Sequence, residues 1–255
     1  MDIHALFSLK GRHALVTGGN SGIGLTMAQA LGHAGASVTL VARRSSELES
    51  AVGLLTRDNI SADWIACDLT DPEAAISCGA LCLERHRRAD VLVNAAGMNL
   101  RKSFMENSPA DWNLHLALHL GAPFFMTQAL APTMKENHWG RIINLASLQS
   151  TRAFANGTPY GAAKGGVVQL TRAIAQEWSS YGITCNAIGP GFFRTALTAS
   201  VFDNPELAAK NAAQTCIGRN GELADLAGIT VFFASNASAY ITGQTLMIDG
   251  GFTAK

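Results

Sequence analysis

Short apolar runs of β character alternate with longer helical stretches along almost the whole chain, and this rhythm limits the possible folds more than any other feature. Residues 12–17, 37–42, 61–67, 90–94, 141–145, 183–188 and 245–248 read as seven strands. Helical patterns separate most of them, at 22–34, 46–57, 72–87, 109–135, 160–181 and 222–235. The strands are mostly continuous apolar runs with little alternation, as expected where both faces of a sheet are covered. Repeated β–α units of this kind form a parallel sheet with helices on both faces, an α/β architecture. The 255 residues suit one such domain, and no linker or low-complexity segment divides them. The most irregular stretch, about 190–219, follows the sixth strand. A segment beyond the carboxyl end of a parallel strand is a natural substrate lid.

Composition narrows the function. Basic and acidic residues balance at 19 each, which argues against a generally basic nucleic-acid binder. Hydrophobic residues make up 48% and charged ones 15%, which excludes a disordered chain. The five cysteines, Cys67, Cys78, Cys82, Cys185 and Cys216, are odd in number and irregularly spaced, so they read as reduced thiols. The N-terminal residues lack the pattern of a signal peptide, and no apolar run is long enough for a membrane span. The expectation is a soluble, cytoplasmic protein with no nucleic-acid or membrane partner.

The first strand runs into Thr17-Gly18-Gly19-Asn20-Ser21-Gly22-Ile23-Gly24, where a helix pattern begins. Glycines in a strand-to-helix turn let backbone approach a pyrophosphate, and the helix N-terminus supplies N–H groups and a favourable dipole. No Lys follows the glycines, so this is not a triphosphatase loop. The Thr-Gly-x-x-x-Gly-x-Gly spacing resembles the short-chain dehydrogenase/reductase family. Further motifs occur in the family's order: Asn94-Ala95-Ala96-Gly97 after the fourth strand, Ser147 after the fifth, Tyr160-x-x-x-Lys164, Pro190-Gly191 with Thr195 beyond it, and Asp249-Gly250-Gly251. The resemblance covers the whole chain and implies one doubly wound Rossmann domain, residues 1–255, with a seven-stranded parallel sheet. It also implies an oxidoreductase that moves a hydride between a nicotinamide cofactor and an alcohol or ketone, and a homotetramer.

Tyr160 and Lys164 are one helical turn apart and share a face. A free phenol with a pKa near 10 is a poor base, and a neighbouring ammonium favours phenolate. By the resemblance, Tyr160 is the general acid/base, Ser147 bonds the substrate oxygen, and Lys164 holds the nicotinamide ribose and lowers the pKa of Tyr160. His119 stands where the family usually has an Asn in the central helix. It either joins a proton relay or only fills the space, and we carry it as a fourth catalytic candidate. His115 and His119 are four apart, but Leu116 stands where a zinc protease needs Glu, so no metal is expected.

The cofactor contacts implied are Gly18, Asn20, Ser21, Gly22, Ile23, Gly24, Asp68, Leu69, Asn94, Ala95, Ala96, Gly97, Tyr160, Lys164, Pro190, Gly191, Phe193 and Thr195. The second strand ends without a carboxylate and is followed by Arg43 and Arg44, which suit a 2′-phosphate and favour NADP over NAD. Ser147, Tyr160, Gln149, Asn156, Arg101 and Arg152 are the candidate substrate contacts. Their polarity suits a hydroxylated or anionic small molecule. The pattern looks most like family members acting on sugar acids and polyols, of the gluconate 5-dehydrogenase type. A 3-oxoacyl-thioester reductase shares every catalytic residue and is the alternative enzyme. A non-catalytic dinucleotide sensor is the alternative of another class, although such proteins usually lose the Tyr or Lys.

Overall fold

The structure, a computed structural model, describes residues 2–255. Asp2 caps α1 (Ile3–Phe7) by accepting from the N–H groups of His4 and Ala5, a short helix that the sequence reading did not include. β1 (His13–Thr17) follows and is wholly buried. α2 (Gly22–His33), β2 (Ser37–Ala42), α3 (Ser45–Arg57), β3 (Ala62–Ala66), α4 (Pro72–His86) and β4 (Val91–Asn94) complete the first half. α4 starts where expected, because Asp71 accepts the Glu73 N–H and Pro72 sits in the first turn, where its missing donor costs nothing.

The second half departs from the expected single helix over 109–135. α5 (Pro109–Leu116) and α6 (Ala122–Glu136) are joined by a wide π turn, Ala117–Gly121. Pro123 offers no N–H to the carbonyl of His119, so one bond of the α ladder is missing at this point. Ala122 donates instead to the carbonyl of Ala117, five residues back. Turns of this kind recur at functional sites, and this one carries His119.

β5 (Gly140–Leu145), α7 (Thr158–Trp178) and β6 (Ile183–Pro190) come next. β6 runs through Gly189 and Pro190, two residues beyond the expected end. The stretch read as irregular contains two helices, α8 (Ala199–Phe202) and α9 (Pro205–Ala213), the second capped by Asn204. α10 (Ala227–Ala234) and β7 (Thr245–Ile248) end the order.

All seven strands are parallel, in the order β3-β2-β1-β4-β5-β6-β7. Residues alternate between two cores. Ala14 and Val16 face Met27, Leu31, Leu48, Leu55 and Phe233 of α2, α3 and α10. Leu15 and Leu92 face Cys78, Cys82, Met126, Leu130 and Ile174 of α4, α6 and α7. Each fully buried Leu or Met contributes about 1.5–3 kcal/mol relative to exposure, so the central strands tolerate no shift of register. The winding direction reverses between β1 and β4. In doubly wound sheets the ligand crevice lies beyond the carboxyl ends of the strands at such a switch point.

Candidate active site

The turns after β1 and β4 meet at the switch point. Thr17 Oγ1 accepts from the N–H groups of Ala95 and Ala96 at 3.0 and 3.1 Å, which sets the spacing of the two turns. Gly18 has φ +65°, and a Cβ there would stand 2.8 Å from the Ala96 Cα. A Cβ on Gly24 would stand 2.2 Å from the Gly18 carbonyl oxygen. Both positions therefore require glycine, and the turn presents bare backbone at the start of α2.

A groove of about 440 Å³ opens above this turn, lined by Gly18, Asn20, Ser21, Gly22, Ile23, Gly24, Arg43, Arg44, Asp68, Leu69, Ala95, Ala96, Gly97 and Thr195. The structure thus brings most of the expected cofactor contacts into one surface. Asn94 is placed differently: its amide donates to Asn144 Oδ1 at 2.8 Å inside the sheet, tying β4 to β5, and its side chain is not part of the groove lining. Arg43 and Arg44 both line the groove, with one neighbour that the sequence reading did not weigh. Glu47, in the first turn of α3, pairs with Arg44 and accepts from Asn20 Nδ2 at 2.6 Å. A carboxylate therefore does stand beside the groove, supplied by α3 and not by the end of β2. Arg43 lines the groove and adds to the pull on Asp68, whose carboxyl lies below its usual range mainly through the Thr70 N–H.

A cavity of about 590 Å³ adjoins the groove and shares Ile23, Ala95, Gly97 and Thr195 with it. Ser147, Tyr160, Lys164, His119, Pro190, Gly191 and Phe193 line it. Ser147 caps the short turn after β5; its Oγ accepts the Gln149 N–H at 3.1 Å. Ser150 Oγ donates to the Lys164 carbonyl at 2.7 Å, which holds that turn against α7. Lys164 Nζ donates to the Leu145 carbonyl at 2.5 Å and lies 5.8 Å from the centre of the Tyr160 ring.

The electrostatics differ from the expectation in one respect. Burial pushes the Lys164 amine down to about 7, so near neutrality it carries only part of a charge. Burial likewise raises the Tyr160 phenol above its ordinary value, while Ser147 and the charge of Arg101 act to lower it. Desolvation is the largest influence on both groups, and it outweighs the Ser147 bond and the Arg101 charge at Tyr160.

His119 is 1% exposed and meets the Tyr160 ring edge-on, with centroids 5.1 Å apart. Its Nε2 bonds the Met98 carbonyl at 2.8 Å, and its Nδ1 is buried without a partner. Burial first, then the Lys164 charge, holds the ring well below its usual pKa, so it is neutral. A Cβ on Gly97 would lie 3.0 Å from the imidazole Cε1, so the last Gly of the Asn-Ala-Ala-Gly motif makes room for this ring.

Of the expected substrate contacts, Arg101, Gln149 and Asn156 line the cavity. Arg101 and Asn156 both have positive φ, 51° and 60°, so the backbone carries strain at both positions on the cavity wall. Arg101 donates to Ser200 Oγ and the Leu197 carbonyl, joining the wall after β4 to the α8–α9 segment. Arg152 is not brought to the cavity wall; it donates to the Lys255 carbonyl. Asn211 of α9 is 6% exposed and lines the cavity, and the sequence reading missed it. Within Pro205–Ala213 it reads as an ordinary surface Asn; only the fold of this segment over the cavity reveals it.

The doubly wound sheet, the glycine turn and the Ser–Tyr–Lys group around one cavity define a dinucleotide-dependent oxidoreductase. A family model described as enoyl-(acyl carrier protein) reductase matches residues 18–253, and the chain belongs to the short-chain dehydrogenase/reductase family. Gluconate 5-dehydrogenase of Gluconobacter oxydans is 38% identical over 97% of both chains. An L-tagatose-forming galactitol 2-dehydrogenase of Cereibacter sphaeroides is 36% identical over 99% of both. The crystal structure of a gluconate 5-dehydrogenase from Burkholderia cenocepacia, in complex with NADP and tartrate, is 33% identical and superposes over 100% of both chains with a TM-score of 0.95.

Proposed function

We propose that the protein is an NADP(H)-dependent oxidoreductase that interconverts a hydroxyl and a keto group on a sugar acid. One observation carries the substrate class: Arg101 lines the same cavity as Ser147 and Tyr160, and its charge acts on the Tyr160 phenol. A guanidinium at that place suits a carboxylate. The names of the relatives support the same class.

The groove fits a dinucleotide, since Gly18 and Gly24 leave bare backbone at a helix N-terminus where any side chain would collide. Asn20, Ser21 and Gly22 to Gly24 would take the pyrophosphate, Asp68 and Leu69 the adenine, and Pro190, Gly191, Phe193 and Thr195 the nicotinamide end. Arg43 would meet a 2′-phosphate, with Arg44 shared with Glu47. The cofactor supplies or accepts the hydride when bound. Tyr160 exchanges a proton with the substrate oxygen, and Ser147 donates a hydrogen bond to it. Lys164 holds the ribose and, once charged, favours phenolate at Tyr160. His119 supports that proton transfer through its unpartnered Nδ1. Arg101 takes the carboxylate, while Gln149, Asn156 and Asn211 take hydroxyls. The segment 190–219 acts as the lid of a single 255-residue domain.

Assembly as a homotetramer in the cytoplasm completes the reading. Trp112 of α5, Phe124 of α6 and Leu246 of the edge strand β7 are exposed apolar groups that suit a subunit contact. All five cysteines are free, which suits a reducing compartment. The test is a screen of sugar acids, polyols and an acetoacetyl thioester with both cofactors. Turnover of aldonates or keto-aldonates with NADP(H) preferred is expected. Turnover of the thioester alone, or a tenfold preference for NAD, would overturn the reading.

A further inference from the structure

The groove wall contains a pair of thiols that the mechanism does not use. Cys67 follows β3, directly before Asp68 and Leu69, and all three line the groove. Its Sγ donates to the Ala74 carbonyl in the first turn of α4, at 3.4 Å. Ala74 and Cys78 are four residues apart in that helix and so lie on one face. Cys67 also packs against the core cluster that contains Cys78, and each thiol alters the acidity of the other. Cys78 is 3% exposed, packed in the core beneath α4, whereas Cys67 is half-buried and open to the groove. An accessible thiol backed by a buried one is the arrangement of an attacking and a resolving pair.

We propose that Cys67 and Cys78 form a hydroperoxide-sensitive dithiol that loosens dinucleotide binding when it closes to a disulfide. The Cys67 thiolate attacks the outer oxygen of a hydroperoxide, and the oxygen–oxygen bond breaks. Cys67 becomes a sulfenic acid, and the released alkoxide or hydroxide takes up a proton. The Cys78 sulfur then displaces the sulfenic hydroxyl, which leaves as water with the Cys78 proton. Two thiols and one hydroperoxide give one disulfide, one alcohol or water, and one water. The new bond draws the chain at Cys67 towards α4 and moves Asp68 and Leu69 with it. A dinucleotide already bound covers Cys67 and protects it. The effect on binding rests on the groove assigned above; the oxidation does not.

The test uses a Cys216→Ser background, which removes the exposed thiol outside the groove. The reduced protein is treated with one equivalent of hydrogen peroxide, with and without NADP⁺, then denatured, alkylated and digested with trypsin. Residues 58–85 contain no Lys or Arg before Arg85, so Cys67, Cys78 and Cys82 fall in one peptide. Loss of two hydrogens with only Cys82 alkylated is expected, suppressed by NADP⁺ and reversed by dithiothreitol. The oxidised protein should bind NADP⁺ about tenfold more weakly, the equivalent of one lost hydrogen bond to the adenine. Cys78→Ala should abolish both responses; if that core change prevents folding, Cys67→Ser makes the same test from the groove side. A fully alkylated peptide after peroxide treatment would overturn the proposal, as would a disulfide that leaves NADP⁺ affinity unchanged. If the reduced protein binds no NADP⁺, the groove assignment fails instead, and the peptide mass still decides the oxidation.

Discussion

Replacing Lys164 with Met should make the apoprotein more resistant to acid unfolding while ending turnover. The amine is buried and its pKa falls from 10.5 to about 7, an interval that corresponds to about 5 kcal/mol of destabilisation once the buried amine is fully charged. The unfolded chain binds the proton below about 10.5 and the folded chain only below about 7, so stability falls as pH falls through this window. Between about pH 9 and about pH 6 the wild type should lose about 2.5–3 kcal/mol through this group. Lys164→Met has no such group, and other titrations cancel when the two proteins are compared. Loss of the bond to the Leu145 carbonyl shifts the variant's baseline but not this pH dependence. The assay is urea unfolding of both apoproteins at the two pH values and one protein concentration, since assembly also stabilises. Parallel changes in the two proteins would refute the reasoning: Lys164 would then be solvated or fully charged, and its part in tuning Tyr160 would need another basis.

Two further outcomes follow from the same geometry. Arg101→Met should raise KM for aldonates about 10–100-fold, the loss of one charge-assisted contact, with a smaller change for neutral polyols; equal effects on both would dismiss the carboxylate contact. His119→Asn should shift an apparent pKa of the kcat–pH profile, because the ring set edge-on against Tyr160 and its unpartnered Nδ1 are both lost; a profile and turnover identical to wild type would leave His119 a filler of space.

The sequence shows the sheet and the Ser–Tyr–Lys group clearly because each depends on local pattern. Seven apolar runs and one helical spacing suffice for that. What it conceals depends on tertiary placement. Asn94 reads as a groove residue by its motif, yet β5 offers Asn144 as a nearer partner. Glu47 follows the arginines by only three residues, and only the start of α3 turns it back onto Arg44 and Asn20. Arg101 and Arg152 are equivalent as letters, but the C-terminal carbonyl of Lys255 takes the second away from the cavity. The tuning of Lys164 and Tyr160 also escapes the sequence, because burial and not charge pairing controls both groups.

The central claim is that Tyr160 moves a proton at a substrate oxygen in the cavity beside the dinucleotide groove. The direct measurement is the single-turnover rate of NADPH oxidation by a keto-aldonate, for wild type and Tyr160→Phe, with NADPH affinity measured alongside. The account predicts a rate lower by about 10²–10⁴-fold in the variant with NADPH binding retained. A variant that reduces the keto acid at the wild-type rate would contradict it.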